Sequence, residues 1–252
     1  MNIEIMDDER LDDLNCKNLK ILQKKDGFCF GMDSVLIANF AKISRKNAIV
    51  ADLGTGTGII SILVAGKQNP EKVYAVEIQE ELVDMAKRSV KYNDLENKID
   101  IINADIVGIS KGNFNKKFDY VISNPPYKKL NTGLINDNQK KLISRHEVKC
   151  TLKDVVNEAS KLLKDKGVFY MVHRPDRLCD IFNAMRENKV EPKEIQLVHS
   201  HLEDEANLVL IKGVKCGNPS LKVLKPLIVY NENNEYTEEL LKFYDNEESQ
   251  AI

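Results

Sequence analysis

Long apolar runs are missing from this sequence: nowhere in its 252 residues do about 18 apolar, charge-free positions follow one another, which excludes a membrane-spanning helix. The opening residues, MNIEIMDDERLDDLN, carry acids where a secretory leader would carry a basic segment and an apolar core, so a soluble, cytoplasmic protein is expected. Cysteine is sparse and scattered. Cys16, Cys29, Cys150, Cys179 and Cys216 form neither a C-x-x-C pair nor a framework spacing, and they read as buried or idle thiols in a reducing compartment. His199 and His201 share a strand face but have no nearby cysteines or paired acids, so no metal site is expected. Linkers rich in Pro, Gly or Ser are absent, and so are internal repeats. That leaves one domain over 47–230, an extension over 1–46 and an acidic end over 231–252.

Charge is unevenly spread. Residues 1–13 hold six acids against Arg10, and residues 231–252 hold seven against Lys242, so a chain with net charge −2 carries +9 over 14–230. A basic body is compatible with an RNA partner.

From about residue 48, short β-rich apolar runs alternate with amphipathic stretches. Asn47–Leu53, Val73–Ile78, Ile99–Asn103, Phe118–Ser123 and Val168–His173 suit strands buried on both faces of a parallel sheet. Between them, Gln79–Tyr92 places Leu82, Met85, Ala86 and Val90 on one helical face, and Leu152–Leu163 follows Thr151, a plausible N-cap with Asp154 three residues on. Gly167 is expected to end a turn over Lys164–Lys166 and open the next strand. The alternation predicts a doubly wound α/β sheet. Ile195–His199 and Asn207–Lys212 predict an antiparallel finish. Upstream, Leu19–Gln23 and Phe28–Phe30 flank Asp26-Gly27 and predict a small hairpin, with Asp33 capping a helix over Ser34–Ala41.

The chemistry gathers at the strand ends. The first parallel strand runs into Asp52-Leu53-Gly54-Thr55-Gly56-Thr57-Gly58 and then a helix, a turn that lets backbone approach a ligand and presents free N–H groups to it. Its G-x-G-x-G spacing differs from the dinucleotide fingerprint G-x-G-x-x-G, which counts against NAD. Glu77 closes the second parallel strand, 19 positions after Gly58, where an acid accepts hydrogen bonds from ribose hydroxyls in sheets of this kind. Asp105 closes the third. The fourth ends in Ser123-Asn124-Pro125-Pro126-Tyr127, where two prolines remove two backbone donors and leave the Asn124 amide oxygen and Pro125 carbonyl as rigid acceptors beside the Tyr127 ring.

DLGTGTG, Glu77, Asp105 and NPPY together resemble the S-adenosylmethionine-dependent methyltransferases that modify amino nitrogens in planar systems, over about residues 48–175. FGMDSVLIANF before the sheet, SRHEV after the NPPY loop and RPDRL on strand five extend the likeness to the bacterial tRNA (adenine-N(6))-methyltransferase family. That family methylates the adenosine just 3′ of the anticodon in a valine tRNA. The resemblance implies a Rossmann-like class I methyltransferase fold, with a mostly parallel seven-stranded sheet whose last strand is antiparallel, after a small hairpin and helix. It also implies S-adenosylmethionine as cofactor and tRNA as partner. Cofactor binding would fall to Asp52, Gly54, Thr55, Gly56, Gly58, Glu77, Ile78, Asp105 and Asn124, with Asp52 at the methionine end and Asp105 at the adenine amine. Catalysis would fall to Asn124, Pro125, Pro126 and Tyr127, with Tyr127 stacking on an extruded base.

After Tyr127 comes a 23-residue connection without clear periodicity. Lys128, Lys129, Lys140, Lys141 and Arg145 make it basic and suit it to clamping a substrate, while His146 reads equally as an RNA contact or as a structural residue. Two rival enzymes share the NPPY logic: a protein-glutamine methyltransferase of the release-factor type, which carries a larger helical domain upstream, and a DNA adenine methyltransferase, which needs a target-recognition domain. A tRNA-binding module that has lost catalysis is the rival of another class, and the intact Asp52, Glu77, Asp105 and NPPY argue against it.

Overall fold

The computed structural model describes residues 3–26, 31–112, 114–127 and 150–244. Its first elements are a hairpin of β1 (Glu9–Asp13) and β2 (Lys20–Lys24) and then helix α1 (Met32–Phe40). The sheet begins with β3 (Ile49–Leu53), β4 (Lys72–Glu77), β5 (Ile99–Asn103) and β6 (Phe118–Ser123), interleaved with α2 (Ile59–Gln68) and α3 (Glu80–Tyr92). Helix α4 (Leu152–Leu162), β7 (Leu163–His173), α5 (Leu178–Glu187), β8 (Val190–His199) and β9 (Ala206–Lys215) complete the large elements.

Seven long strands lie in the order β5–β4–β3–β6–β7–β9–β8, and β9 alone among them runs antiparallel to its neighbours. Two-residue strands β10 (Lys222–Val223) and β11 (Leu227–Ile228) add to β8, so the sheet is the expected one with a short extension at that edge. From β3 the chain moves outward through β4 and β5, then returns to form β6 on the other side of β3. The strand order therefore reverses between β3 and β6, and ligands of open α/β sheets bind at the carboxyl ends of such a pair. Leu53 is paired with Ser123 across this switch, so the glycine turn and the NPPY turn leave the sheet side by side.

Two apolar clusters cover the faces. Val50, Tyr120, Ile122, Tyr170 and Val172 point toward α1 and α2, whereas Ala51, Phe118, Val121, Phe169 and Met171 point toward α4 and α5. Fully burying side chains such as Phe169 or Ile122 stabilises by roughly 1.5–3 kcal/mol each. Thr151 caps α4 as expected, with a reciprocal box to Asp154.

Four local expectations are corrected. The hairpin lies upstream of the anticipated turn: β2 pairs with β1, Arg10 opposite Gln23, around a loop in which Asn15, Lys17 and Asn18 take positive φ. The anticipated partner Phe28–Phe30 lies outside the described residues, as does Cys29. ERLDD escapes notice as a strand because its acids look like a solvated tail, yet they are spent on neighbouring cations. Glu9 is buried and forms a forked pair with Arg88 of α3 at 2.6 Å, and Asp8 meets Lys24 at 2.6 Å. The excess positive charge counted over 14–230 is reduced accordingly. Asp33 is not the cap of α1; Gly31 is, and Asp33 stands in the first turn. Residues 164–166 belong to β7, where Lys166 takes φ 62° and the register against β6 shifts between Phe118 and Tyr120. RPDRL follows β7 as a 3-10 turn and the start of α5 instead of lying on the strand. At the other end, Leu240 in the short helix α6 (Glu238–Leu241) is buried in the first cluster, so the described part of the acidic end packs on the body.

Candidate active site

Strand parity decides what Asp52 does. It shares the face of Val50, so its carboxylate goes under the first turn of α2 and is fully buried. There Oδ2 accepts the hydroxyls of Thr55 at 2.6 Å and Ser61 at 2.8 Å, while Oδ1 has no partner. Thr55 is itself buried and ties the turn down. Asp52 thus shapes the glycine turn from beneath. Burial pushes its pKa from an ordinary 3.8 up to about 6, opposed by the Thr55 and Ser61 hydroxyls and helped by the charge of Glu77.

The sign of the consequence follows from linkage. A carboxyl that holds its proton more tightly folded than unfolded makes stability fall as pH rises from about 4 to about 6. A shift of this size corresponds to about 3 kcal/mol at neutral pH. Asp52→Asn is therefore expected to gain relative to the wild type by about 2–3 kcal/mol between pH 4 and pH 7, read as the difference in urea-unfolding free energy. A pH-independent difference would remove the shift.

Above Asp52, Gly54, Gly56 and Gly58 all take positive φ, at 76°, 59° and 95°. A Cβ on Gly56 would meet nothing within 4 Å, so there is open space over the turn. Glu77 faces this space from the end of β4. Its Oε1 accepts the backbone N–H groups of Ile78 at 2.9 Å and Gln79 at 3.0 Å, and its Oε2 accepts that of Gly56 at 3.0 Å. A carboxylate offers about four lone-pair sites, so one on Oε2 remains for a further donor. Ile78 thus takes part through its backbone. Asp105 lies two residues past the end of β5, exposed, with Oδ1 accepting the Val107 N–H at 2.9 Å.

Across the switch point, Ser123 donates its hydroxyl to the Leu53 carbonyl at 2.9 Å and binds the two turns together. Asn124 Nδ2 donates to Ser34 Oγ at 3.1 Å, and the Tyr127 hydroxyl lies 2.7 Å from Asn124 Oδ1 and 2.6 Å from Asp33 Oδ2. Pro125 is buried and Pro126 exposed. The Tyr127 ring packs on the buried His173, centroids 5.2 Å apart and tilted 58°. Burial and the Asp33 carboxylate raise the Tyr127 pKa well above the ordinary range, so the phenol keeps its proton. His173 is pushed down to about 4, chiefly by burial and then by Arg177, and its Nδ1 accepts the Arg174 N–H at 2.7 Å. It is a neutral wall of the site.

Asp33, Ser34 and His173 are site neighbours that motif reading did not single out. The available signal for His173 was its place at the carboxyl end of the strand next to NPPY; for Asp33 and Ser34 it was FGMDSVLIANF, whose contact with the loop spans 94 and 90 residues of chain. Lys128, Lys129, Lys140, Lys141, Arg145 and His146 lie outside the described residues. Among the described residues, no group of three or more His, Cys, Asp or Glu is placed to hold a metal ion, and no helix is long and apolar enough to cross a membrane.

Comparison with known proteins finds methyltransferases. Curated relatives named tRNA1(Val) (adenine(37)-N6)-methyltransferase include one from Histophilus somni (strain 129Pt), 27% identical over 237 residues, covering 88% of this chain and 91% of the relative. Another, from Bacteroides thetaiotaomicron, is 27% identical over 228 residues, covering 89% and 86%. Among solved structures, a predicted O-methyltransferase from Agrobacterium tumefaciens superposes with a TM-score of 0.68 at 23% identity, covering 84% of this chain and 95% of its own. TYW2 from M. jannaschii, solved in complex with AdoMet, gives 0.55 at 16%, covering 84% and 87%. The family model described as "Methyltransferase small domain" matches residues 30–191, well over half of the sequence and both turns of the switch point, and the chain belongs to that family.

Proposed function

We propose that this protein is a cytoplasmic enzyme that methylates the exocyclic amino nitrogen of an adenosine in tRNA, next to the anticodon, using S-adenosylmethionine. The observation that carries the reading is the adjacency of two turns at one switch point: a glycine turn with open space above Gly56, and the NPPY turn beside it. The names of the curated relatives support the choice of adenine in tRNA.

The residues present fit the cofactor. The free lone pair of Glu77 suits a ribose hydroxyl, the exposed Asp105 carboxylate suits an adenine amine, and the backbone of Gly54–Gly58 leaves room for a methionine moiety, with Asp52 holding that backbone from below. When bound, the cofactor supplies a methyl group on a positively charged sulfur. The chain's own task is to prepare the amine. An adenine amino lone pair is delocalised into the ring, so acceptors on both its N–H bonds favour a pyramidal nitrogen. Asn124 Oδ1 and the Pro125 carbonyl would be those acceptors, held rigid by two prolines. Orienting the amine in this way draws on a proximity effect worth up to roughly 7–11 kcal/mol in ideal cases. Tyr127 would meet the face of the extruded base.

The test offers the purified enzyme labelled cofactor with total tRNA, duplex DNA and a release factor. Label in an adenosine of tRNA is the expected result; label in DNA or in a glutamine, with none in tRNA, would move the assignment to a rival. Binding of tRNA is also expected to weaken with salt, because phosphate contacts release counterions. Neutralising Lys128, Lys129, Lys140 and Lys141 together should lower the log–log salt slope by about 3 if each meets one phosphate, and leave cofactor affinity unchanged. An unaltered slope in a filter-binding series would remove the 23-residue connection from the RNA interface.

A further inference from the structure

Asp33 uses its two carboxylate oxygens for separate tasks. Oδ1 accepts the backbone N–H of Ser34 at 2.9 Å, and Oδ2 accepts the Tyr127 hydroxyl at 2.6 Å. Gly31 makes the room for this: a Cβ there would stand 2.6 Å from Asp33 Oδ1, although its φ of −89° is open to any residue. The Tyr127 oxygen also lies 2.7 Å from Asn124 Oδ1. A phenol has one proton, which two acceptors can share only as a weaker three-centre bond. Hydrogen bonds to an ionised acceptor are roughly twice as strong as neutral ones, so the carboxylate takes the larger share of the proton. Remove the carboxylate, and the amide oxygen of Asn124 becomes the acceptor within reach.

We propose that Asp33 is a positioning residue of the transfer site: by drawing the Tyr127 phenol proton to itself it leaves the Asn124 amide oxygen its acceptor strength for the incoming amino group and holds the tyrosine ring against His173. This rests on the reading of Asn124 as an acceptor for the amine. The three side chains come from helix α1 and the NPPY turn, and Ser34 completes the arrangement by receiving the Asn124 amide N–H, which turns Oδ1 away from α1 toward the phenol and the site.

The test is a double-mutant cycle. Asp33→Ala is expected to lower kcat for methyl transfer by about 10-fold or more, with cofactor affinity changed by less than about threefold, as a lost acceptor orientation of about 1.4 kcal/mol requires. In a Tyr127→Phe background the same substitution should cost less than about threefold, because no phenol remains to compete for Asn124. Equal losses in both backgrounds overturn the proposal. Asp33→Asn preserves the shape of the first turn and serves where the alanine variant fails to fold; its amide can donate to the phenol oxygen, so the same pattern is expected. A second readout is independent of activity. Carbon NMR of Cζ-labelled tyrosine, with the Tyr127 signal assigned by its loss in Tyr127→Phe, should show that signal moving in Asp33→Asn, and an unmoved signal overturns the contact. If the wild type methylates no acceptor while the signal does move, the assignment of the reaction fails and takes the positioning role with it. Equal losses in an active enzyme refute the positioning role alone.

Discussion

Replacing Asn124 with alanine is expected to lower methyl-transfer turnover by about 100-fold or more while leaving S-adenosylmethionine affinity within a few-fold. On the proposed reading the substitution removes one of the two acceptors for the amine, an effect of the same kind as removing an oxyanion-hole donor, roughly 2.7–4 kcal/mol. The turn itself should persist, because Pro125 and Pro126 restrict its backbone and the Ser123 hydroxyl still anchors it to Leu53. Two contacts do go with the amide, those to Ser34 and Tyr127. Single-turnover rates with saturating cofactor and tRNA, set beside calorimetry of the cofactor, separate chemistry from binding. Turnover near normal would take Asn124 out of the reaction; a matching collapse of cofactor affinity would make it a cofactor residue only.

The sheet was legible because buried parallel strands write themselves as apolar runs: Ile99–Asn103 and Phe118–Ser123 have the very limits that composition suggests. Of the hairpin, only the second strand was. β1 reads Glu-Arg-Leu-Asp-Asp, and its place depends on Arg88 lying 79 residues away to satisfy a buried Glu9. Partners at that distance leave no local periodicity. The strand character of Leu163–Lys166 was hidden for a related reason: Lys164 reaches Asp119 on the neighbouring strand at 3.0 Å, a pairing that only the folded sheet supplies.

The site divides along the same line. Glycine, acid and proline motifs announce themselves, since the backbone conformations they permit are set by their own residues. What they point at depends on parity and on long-range neighbours. Asp52 stands at the motif yet sits on the α2 face of β3, bonded to Thr55 and Ser61, so its influence on a ligand passes through the shape of the turn. Asp33 stands outside the glycine, strand-end acid and proline motifs, in FGMDSVLIANF, and reaches the phenol of Tyr127 directly. Only the folded chain tells these two acids apart.

Glu77→Ala is the second large effect expected, and it acts on both stability and binding. Three backbone N–H groups, those of Gly56, Ile78 and Gln79, lose their acceptor at a residue only 5% exposed. An unsatisfied buried donor costs about 1–3 kcal/mol, and partial access of water to the glycine turn limits the sum to about 2–4 kcal/mol of unfolding free energy. The lone pair that would take a ribose hydroxyl goes too, so cofactor affinity should fall by about 10–100-fold, in line with 1.5–3 kcal/mol for a hydrogen bond to a charged group. Glu77→Gln separates the two roles. Its carbonyl oxygen can keep Ile78 and Gln79, while its NH2 opposes the Gly56 N–H and cannot accept from a hydroxyl; stability should therefore recover in large part while affinity stays low. Urea unfolding and cofactor calorimetry on both variants decide the matter. Should the glutamine variant bind the cofactor as well as the wild type, Glu77 is a staple of the turn and the ribose must be held elsewhere.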